Sequence, residues 1–455
     1  MKPLTLGILL TTISLTGIWL LPARDNLPAR DKQPAPSLRP PKPATVGHPS
    51  FLSPHFKPIV LLKDTLFVAN TPADTVDVIN TKNGRFIKRI PVGIDPVSIA
   101  IRPDGKEVWV SNHISDSVSV IDTNPASPTS LHVIATIQDF DPEKRATRFD
   151  EPVGIAFADN KKAYVALSSE NKIAVVDVAS RKVTKHLSIP AQDPRAITVR
   201  NGKLYVLPFE SNNKTQLSGG YKIDGDLVTF DAHQHSIAHN NILSLGHVVD
   251  IVKHPRVPDK DLFIYDTETD RLVETVDTLG TLLFGLTVDS MGSVFVAQID
   301  ARNDANGRSG TKKHGLTELE NRPFLNQITR VDFQKNAAQK PRFLNLEPLP
   351  PKQPDPKHTY ASPFAIELSP DEKTLIATAA ASDKLFTVDP DSGKVLGEVK
   401  VDSVPRGIAL KSNSKGQLSQ AWVLNAVANS ISLVDVSNPA RPILKTTIPL
   451  DDPTP

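Results

Sequence analysis

Short runs of alternating apolar and polar residues recur along this chain in a fixed setting. In "SVSVID" (Ser117–Asp122), Val118 and Val120 fall on one side of an extended strand and Ser117 and Ser119 on the other. The run closes the stretch "SNHISDSVSVID" (Ser111–Asp122). Four stretches share its form: "ANTPADTVDVIN" (Ala69–Asn80), "ALSSENKIAVVD" (Ala166–Asp177), "TAAASDKLFTVD" (Thr378–Asp389) and "LNAVANSISLVD" (Leu424–Asp435). Two degenerate copies are "KDLFIYD" (Lys260–Asp266) and "NQITRVD" (Asn326–Asp332). The Asp or Asn that leads each full copy suits a tight turn, with its side chain bonding the backbone two residues on.

The neighbours of these stretches recur too. Before each full copy lies a β-run such as "KEVWV" (Lys106–Val110), and before that an apolar strand opened by proline. The openings are "DPVSIAI" from Asp95, "EPVGIAF" from Glu151, "DPRAITV" from Asp193, "SPFAIEL" from Ser362 and "VPRGIAL" from Val404. After each copy comes a hairpin turn such as "NTKNGR" or "DPDSGK", whose glycine supplies positive φ, and then a fourth strand. Each unit is therefore four antiparallel strands with a period of about 42 residues, the signature of propeller blades. The fold expected is all-β: a seven-bladed β-propeller of four-stranded antiparallel blades beginning near residues 55, 95, 151, 193, 281, 361 and 404. Stretching of the period in blades two, four and five marks loop insertions.

Composition adds boundaries. Lys and Arg total 52 against 50 Asp and Glu, so no charge field exists to gather nucleic acid or an anionic membrane. The 40 prolines crowd the N-terminal region and the loops, which disfavours long helices. Residues 1–23, with Lys2 before an apolar run from Leu4 to Leu21, read as a signal peptide or an uncleaved anchor. Export to the periplasm or the extracellular space follows, with membrane tethering only if that segment is kept. Residues 24–52 form a proline-rich linker, 53–450 the propeller and 451–455 a tail. With no cysteine, the chain has no c-type haem attachment of its own, and no cofactor is assigned to it.

The stretch "DGKEVWVSNHISDSVSVIDT" resembles the YVTN-type repeat of bacterial secreted propellers. Together with "RAITVRNGKLYVLPFESNN" and "GLTVDSMGSVFVAQIDARND", it is most similar to the subgroup whose propeller accompanies a di-haem, cytochrome c peroxidase-like domain. The resemblance covers residues 55–450 approximately and implies a haem-containing redox partner or domain. The chain carries no CxxCH motif, so the resemblance leaves open a free-standing propeller or one whose haem portion lies elsewhere.

Candidate sites follow from blade geometry. Loops joining second to third strands share one face with the segments joining consecutive blades. Asn70, His113, Glu210 and Gln298 fall in the former, Arg195 and Arg406 in the latter, and such a ring could hold an anionic or polar ligand. The blander role for these side chains is to bond neighbouring loops. A histidine-dense insert places His233, His235, His239, His247 and His254 near Asp231, with the first three as weak metal candidates. No known ligand-set spacing accompanies them, and titrating surface imidazoles explain the segment as well. "DARNDANGRSG" (Asp300–Gly310) has a calcium-loop look, but Arg302 occupies the first ligand position and would repel the ion. No nucleophile-elbow, P-loop or HExxH motif appears, so the function expected is a binding or interaction module with no catalytic residues assigned. A lactonase-like or metal-dependent hydrolase using acids and His at the channel mouth is the alternative.

Overall fold

A computed structural model describes residues 53–210, 259–302, 320, 322–335 and 337–450, and the backbone of strands Thr215–Ile223, Asp226–Phe230 and Asp250–Lys253. The histidine insert, most of 300–310, the N-terminal 52 residues and the last five lie outside the described residues, and the metal, calcium and export expectations with them. Among the described residues there is no α-helix, and hence none long and apolar enough to cross a membrane.

The repeats fold as four-stranded antiparallel meanders. Five stand as separate sheets, spanning residues 59–91, 96–137, 152–188, 363–400 and 405–449. Two more, residues 192–277 and 282–345, count as one eight-stranded sheet because a single bridge, Glu210 to Leu282, links them. These seven strand sets are called first to seventh below, in chain order. Extra pieces fall where the period stretches. Phe140–Asp141 pairs with Ala146–Thr147 after the second set, and Phe333–Gln334 with Ala337–Ala338 in the fifth. In the fourth set a separate three-stranded sheet, Thr215–Ile223 with Asp226–Phe230 and Asp250–Lys253, sits between the second and third strands.

Strand alternation buries side chains on both faces of each sheet, so each set needs a neighbour on either side. Buried apolar clusters lie between every consecutive pair of sets. Phe67 and Val78 of the first set pack with Ile99 and Val108 of the second. Trp109 of the second packs with Val165 of the third. Phe295 of the fifth meets Phe386 of the sixth. The series closes on itself: Ile59, Leu66 and Val68 of the first set share a cluster with Trp422, Leu424 and Ile431 of the seventh. Each first strand also lies against the first strand of the next set, and the seventh returns to the first. The ring thus closes without strand exchange, every set being contiguous in sequence. Lys411 reinforces the seam by donating to the Asp64 carboxylate (2.9 Å) and the Thr81 hydroxyl (2.7 Å) across it.

In four of the five full repeats the leading Asp or Asn acts differently from the sequence expectation. Asp74, Asp116, Asn171 and Asp383 all have left-handed φ, between 48° and 54°. Their side-chain oxygens accept the backbone N–H of Asp95, Glu151, Asp193 and Val404, at 2.8–3.0 Å. Each of those four residues precedes a proline and is itself left-handed. The turn residue therefore clamps the chain 21 to 35 residues on, at the start of the next set, rather than its own turn. The reason is orientation: left-handed backbone at the turn aims the side chain sideways to the neighbouring sheet.

Candidate functional site

On the face bearing these turns, the first strands converge on the ring axis. Near its start, just after the opening proline in every set but the fifth, each first strand from the second set to the seventh slips register against its partner, as between Pro96 and Ser98, Leu283 and Gly285, or Pro405 and Gly407. A bulge frees a residue from the ladder and re-aims its side chain. Here it is Val97, Val153, Arg195, Phe284, Phe364 and Arg406 in set order. The next position is small because the strands crowd at the axis. A Cβ on Gly154 would stand 2.3 Å from the Arg195 carbonyl oxygen, and one on Gly285 2.1 Å from that of Phe364.

The segment leading into the first set crosses this face. Phe56 is buried in one cluster with Val97 and Val153 and so covers that half of the axis. Beside it His55 is buried and makes a directional chain of hydrogen bonds. Thr71 Oγ1 donates to the Pro96 carbonyl (2.7 Å), so its lone pair accepts from His55 Nε2 (2.9 Å). That leaves Nδ1 as the acceptor facing Arg406 Nη1, 3.4 Å away. The imidazole is therefore neutral. Burial first, then the Arg406 charge and then His113, bring its pKa down to about 3.

Arg406 also donates to the Ser53 carbonyl at 3.0 Å. Burial, then repulsion from Arg195, lowers its pKa to about 10, so it stays charged at neutral pH. Arg195 is held by its Nε donating to Asp193 Oδ1 at 2.8 Å, with a second bond from Nη2 to Oδ2. Its guanidinium lies 3.8 Å over the Phe209 ring. An open depression with about 260 Å³ of room adjoins it, lined in part by His113, Glu151, Ser168, Gln192 and Asp193. His113 Nε2 approaches Glu151 Oε2 at 3.9 Å, and its buried Nδ1 meets no hydrogen-bond partner among the described residues.

Of the six residues picked from the sequence, His113, Arg195 and Arg406 come together around the axis. Glu210 stands exposed on the same rim, its backbone bridging the fourth and fifth sets. Asn70 and Gln298 are placed elsewhere. Both are fully enclosed, and each donates to its own sheet: Asn70 to Asp77 (2.8 Å), Gln298 to Gln327 (2.9 Å) and Thr329 (3.2 Å). Asn112 and Asn425 do the same toward serines on their third strands, so the amide at this position is repeat architecture. His55, Phe284 and Phe364 went unnoticed in the sequence. The signal for the two phenylalanines was their place in the blade opening, the same as that of Arg195 and Arg406. Among the described residues no group of three or more His, Asp or Glu side chains could hold a metal ion.

The ring of four-stranded antiparallel sheets places the chain among the β-propellers. A solved structure agrees on the fold. Hydrazine synthase of Kuenenia stuttgartiensis superposes with a TM-score of 0.60 over 85% of this chain and 97% of that one, at 17% identity. Virginiamycin B lyase of Staphylococcus aureus gives a TM-score of 0.47 and 13% identity over 83% of this chain and 94% of that one. No protein-family profile and no curated protein matches the chain.

Proposed function

We propose that the protein is an exported, seven-bladed propeller that acts as a binding module through the face carrying His55, His113, Arg195 and Arg406. The eight-stranded sheet is read as two blades on account of its single-bridge junction. The observation that carries the reading is the convergence of two guanidinium groups, from strands more than 200 residues apart, beside an open depression. Like charges brought together at partial burial cost stability, and an anionic partner offsets that cost. The YVTN-like repeats favour a haem-containing redox protein as that partner, and export through residues 1–23 would bring the two into one compartment.

The test is binding of the full chain to a purified di-haem cytochrome c peroxidase at low and at high salt. Saturable binding that weakens with salt, and weakens about tenfold in Arg195→Gln, is expected for a charge-assisted contact worth about 1.5–3 kcal/mol. An Arg195→Gln protein that binds as well as the wild type, or a wild type that does not bind, overturns the reading.

A further inference from the structure

The bulge position divides the ring into two unlike halves. In the second and third sets it holds Val97 and Val153, both fully buried under Phe56. From the fourth set to the seventh it holds Arg195, Phe284, Phe364 and Arg406, none fully buried. Phe284 and Phe364 belong to none of the core clusters, although their sheets have ample core of their own. Their ring centroids are 5.0 Å apart, and Phe209 continues the row 5.5 Å from Phe284. A guanidinium ends the row on each side: Arg195 over Phe209, and Arg406 at 5.2 Å over Phe364. Phe284, Phe364 and Arg406 line one axial recess with Lys57 and Glu367, which pair with each other at 3.1 Å. The enclosed part of that recess has room for about one water, 20 Å³, so nothing larger threads the axis. A ligand there lies across the phenylalanines.

We propose that this Arg–Phe–Phe–Arg crescent is a site for a small planar organic anion, an aromatic carboxylate that lies over Phe284 and Phe364 with its carboxylate on Arg406. Three features support that class. Phe284 and Phe364, tilted by 34° to one another, offer a flat ring both face and edge contacts. A guanidinium at the rim of an apolar recess is worth more to an anion than one in open water, because solvent screens it less. The recess itself has room for only about one water, which favours a flat body lying over it to a bulky one entering it. The proposal rests on the binding-face reading above and narrows it to a ligand class.

The probe is 2-naphthoate, titrated calorimetrically into the full chain, with 2-naphthalenemethanol and acetate as companions. Saturable one-to-one binding of naphthoate is expected, with the neutral alcohol and the ring-free acetate each weaker by about tenfold or more. This ligand series needs no variant. Phe364→Leu, which keeps most of the volume, and Arg406→Gln are each expected to weaken naphthoate about tenfold, with folding checked by thermal melting. Absence of saturable naphthoate binding, or binding equal to that of the alcohol, overturns the proposal. So does naphthoate binding that both folded variants leave unchanged. If naphthoate fails while the peroxidase still binds through Arg195, the ligand site falls and the binding face stands. Naphthoate binding without any peroxidase binding removes the haem-protein partner and leaves the face as a small-ligand site.

Discussion

His55 shows how one side chain couples the N-terminal segment to the ring. Its neutral imidazole accepts from Arg406 and donates to Thr71, and a proton on Nδ1 would set two donors face to face. In the unfolded chain the ring titrates at its ordinary 6.5, and in the folded protein at about 3. The unfolded state thus binds more protons between those values, so stability is complete above pH 6.5 and is lost as pH falls toward 3. Each unit within that window costs about 1.4 kcal/mol. Denaturant midpoints measured between pH 7 and 4 should fall more steeply for the wild type than for His55→Gln, whose amide keeps a donor for Thr71 but does not titrate. Parallel pH profiles would show that His55 is not the group responsible. Asp116 is also displaced from its ordinary range. Burial, with Asp150 and Glu151 nearby, raises its pKa even though it accepts the Glu151 N–H.

At the scale of elements, the recurring unit is a clamp between consecutive strand sets. Asp383 accepts the Val404 N–H at 2.9 Å, and its carbonyl accepts the Val401 N–H at 2.9 Å. One left-handed residue thereby ties down both the end of one set and the start of the next. Asp383→Ala removes the side-chain half of the clamp and should cost about 1–2 kcal/mol, in the range of a lost helix cap, while Asp383→Asn keeps its acceptor and should cost much less. Faster hydrogen exchange at the Val404 amide in the alanine variant checks the mechanism, and unchanged exchange there would contradict it. The repeat grammar of strands and turns was legible because it resides in stretches of about a dozen residues. The clamp was not legible. The Asp or Asn was visible, but the backbone N–H it accepts from lies a blade away, and a turn-forming role accounted for it equally well.

For the whole molecule, the consequence is a ring closed by burial instead of by strand exchange. Trp422 is 1% exposed and packs within the cluster that joins the seventh set to the first. Trp422→Ala should cost about 3–5 kcal/mol, typical of a buried tryptophan. Because every set depends on both neighbours, the loss should appear as one transition at a lower midpoint. A separate early transition confined to the seventh set would show that the seam is a weak joint between independent parts.

The chain's pattern of apolar and polar positions by itself determined that the protein is all-β, built from repeated four-stranded antiparallel units with insertions in the second, fourth and fifth. Alternation, opening prolines and glycine turns act between residues close in sequence, so they can be read one stretch at a time. The make-up of the site was decided by tertiary structure. A period of two tells whether a side chain leaves the sheet on one face or the other, but not how far it stands from the ring axis. Asn70 and Arg406 therefore looked alike as loop-adjacent polar residues, yet one bonds within its own sheet and the other reaches the channel mouth. Only the closing of the ring brings Arg195, Phe284, Phe364 and Arg406 together, four residues spread over more than 200 positions whose common bulge depends on pairing with a neighbouring strand.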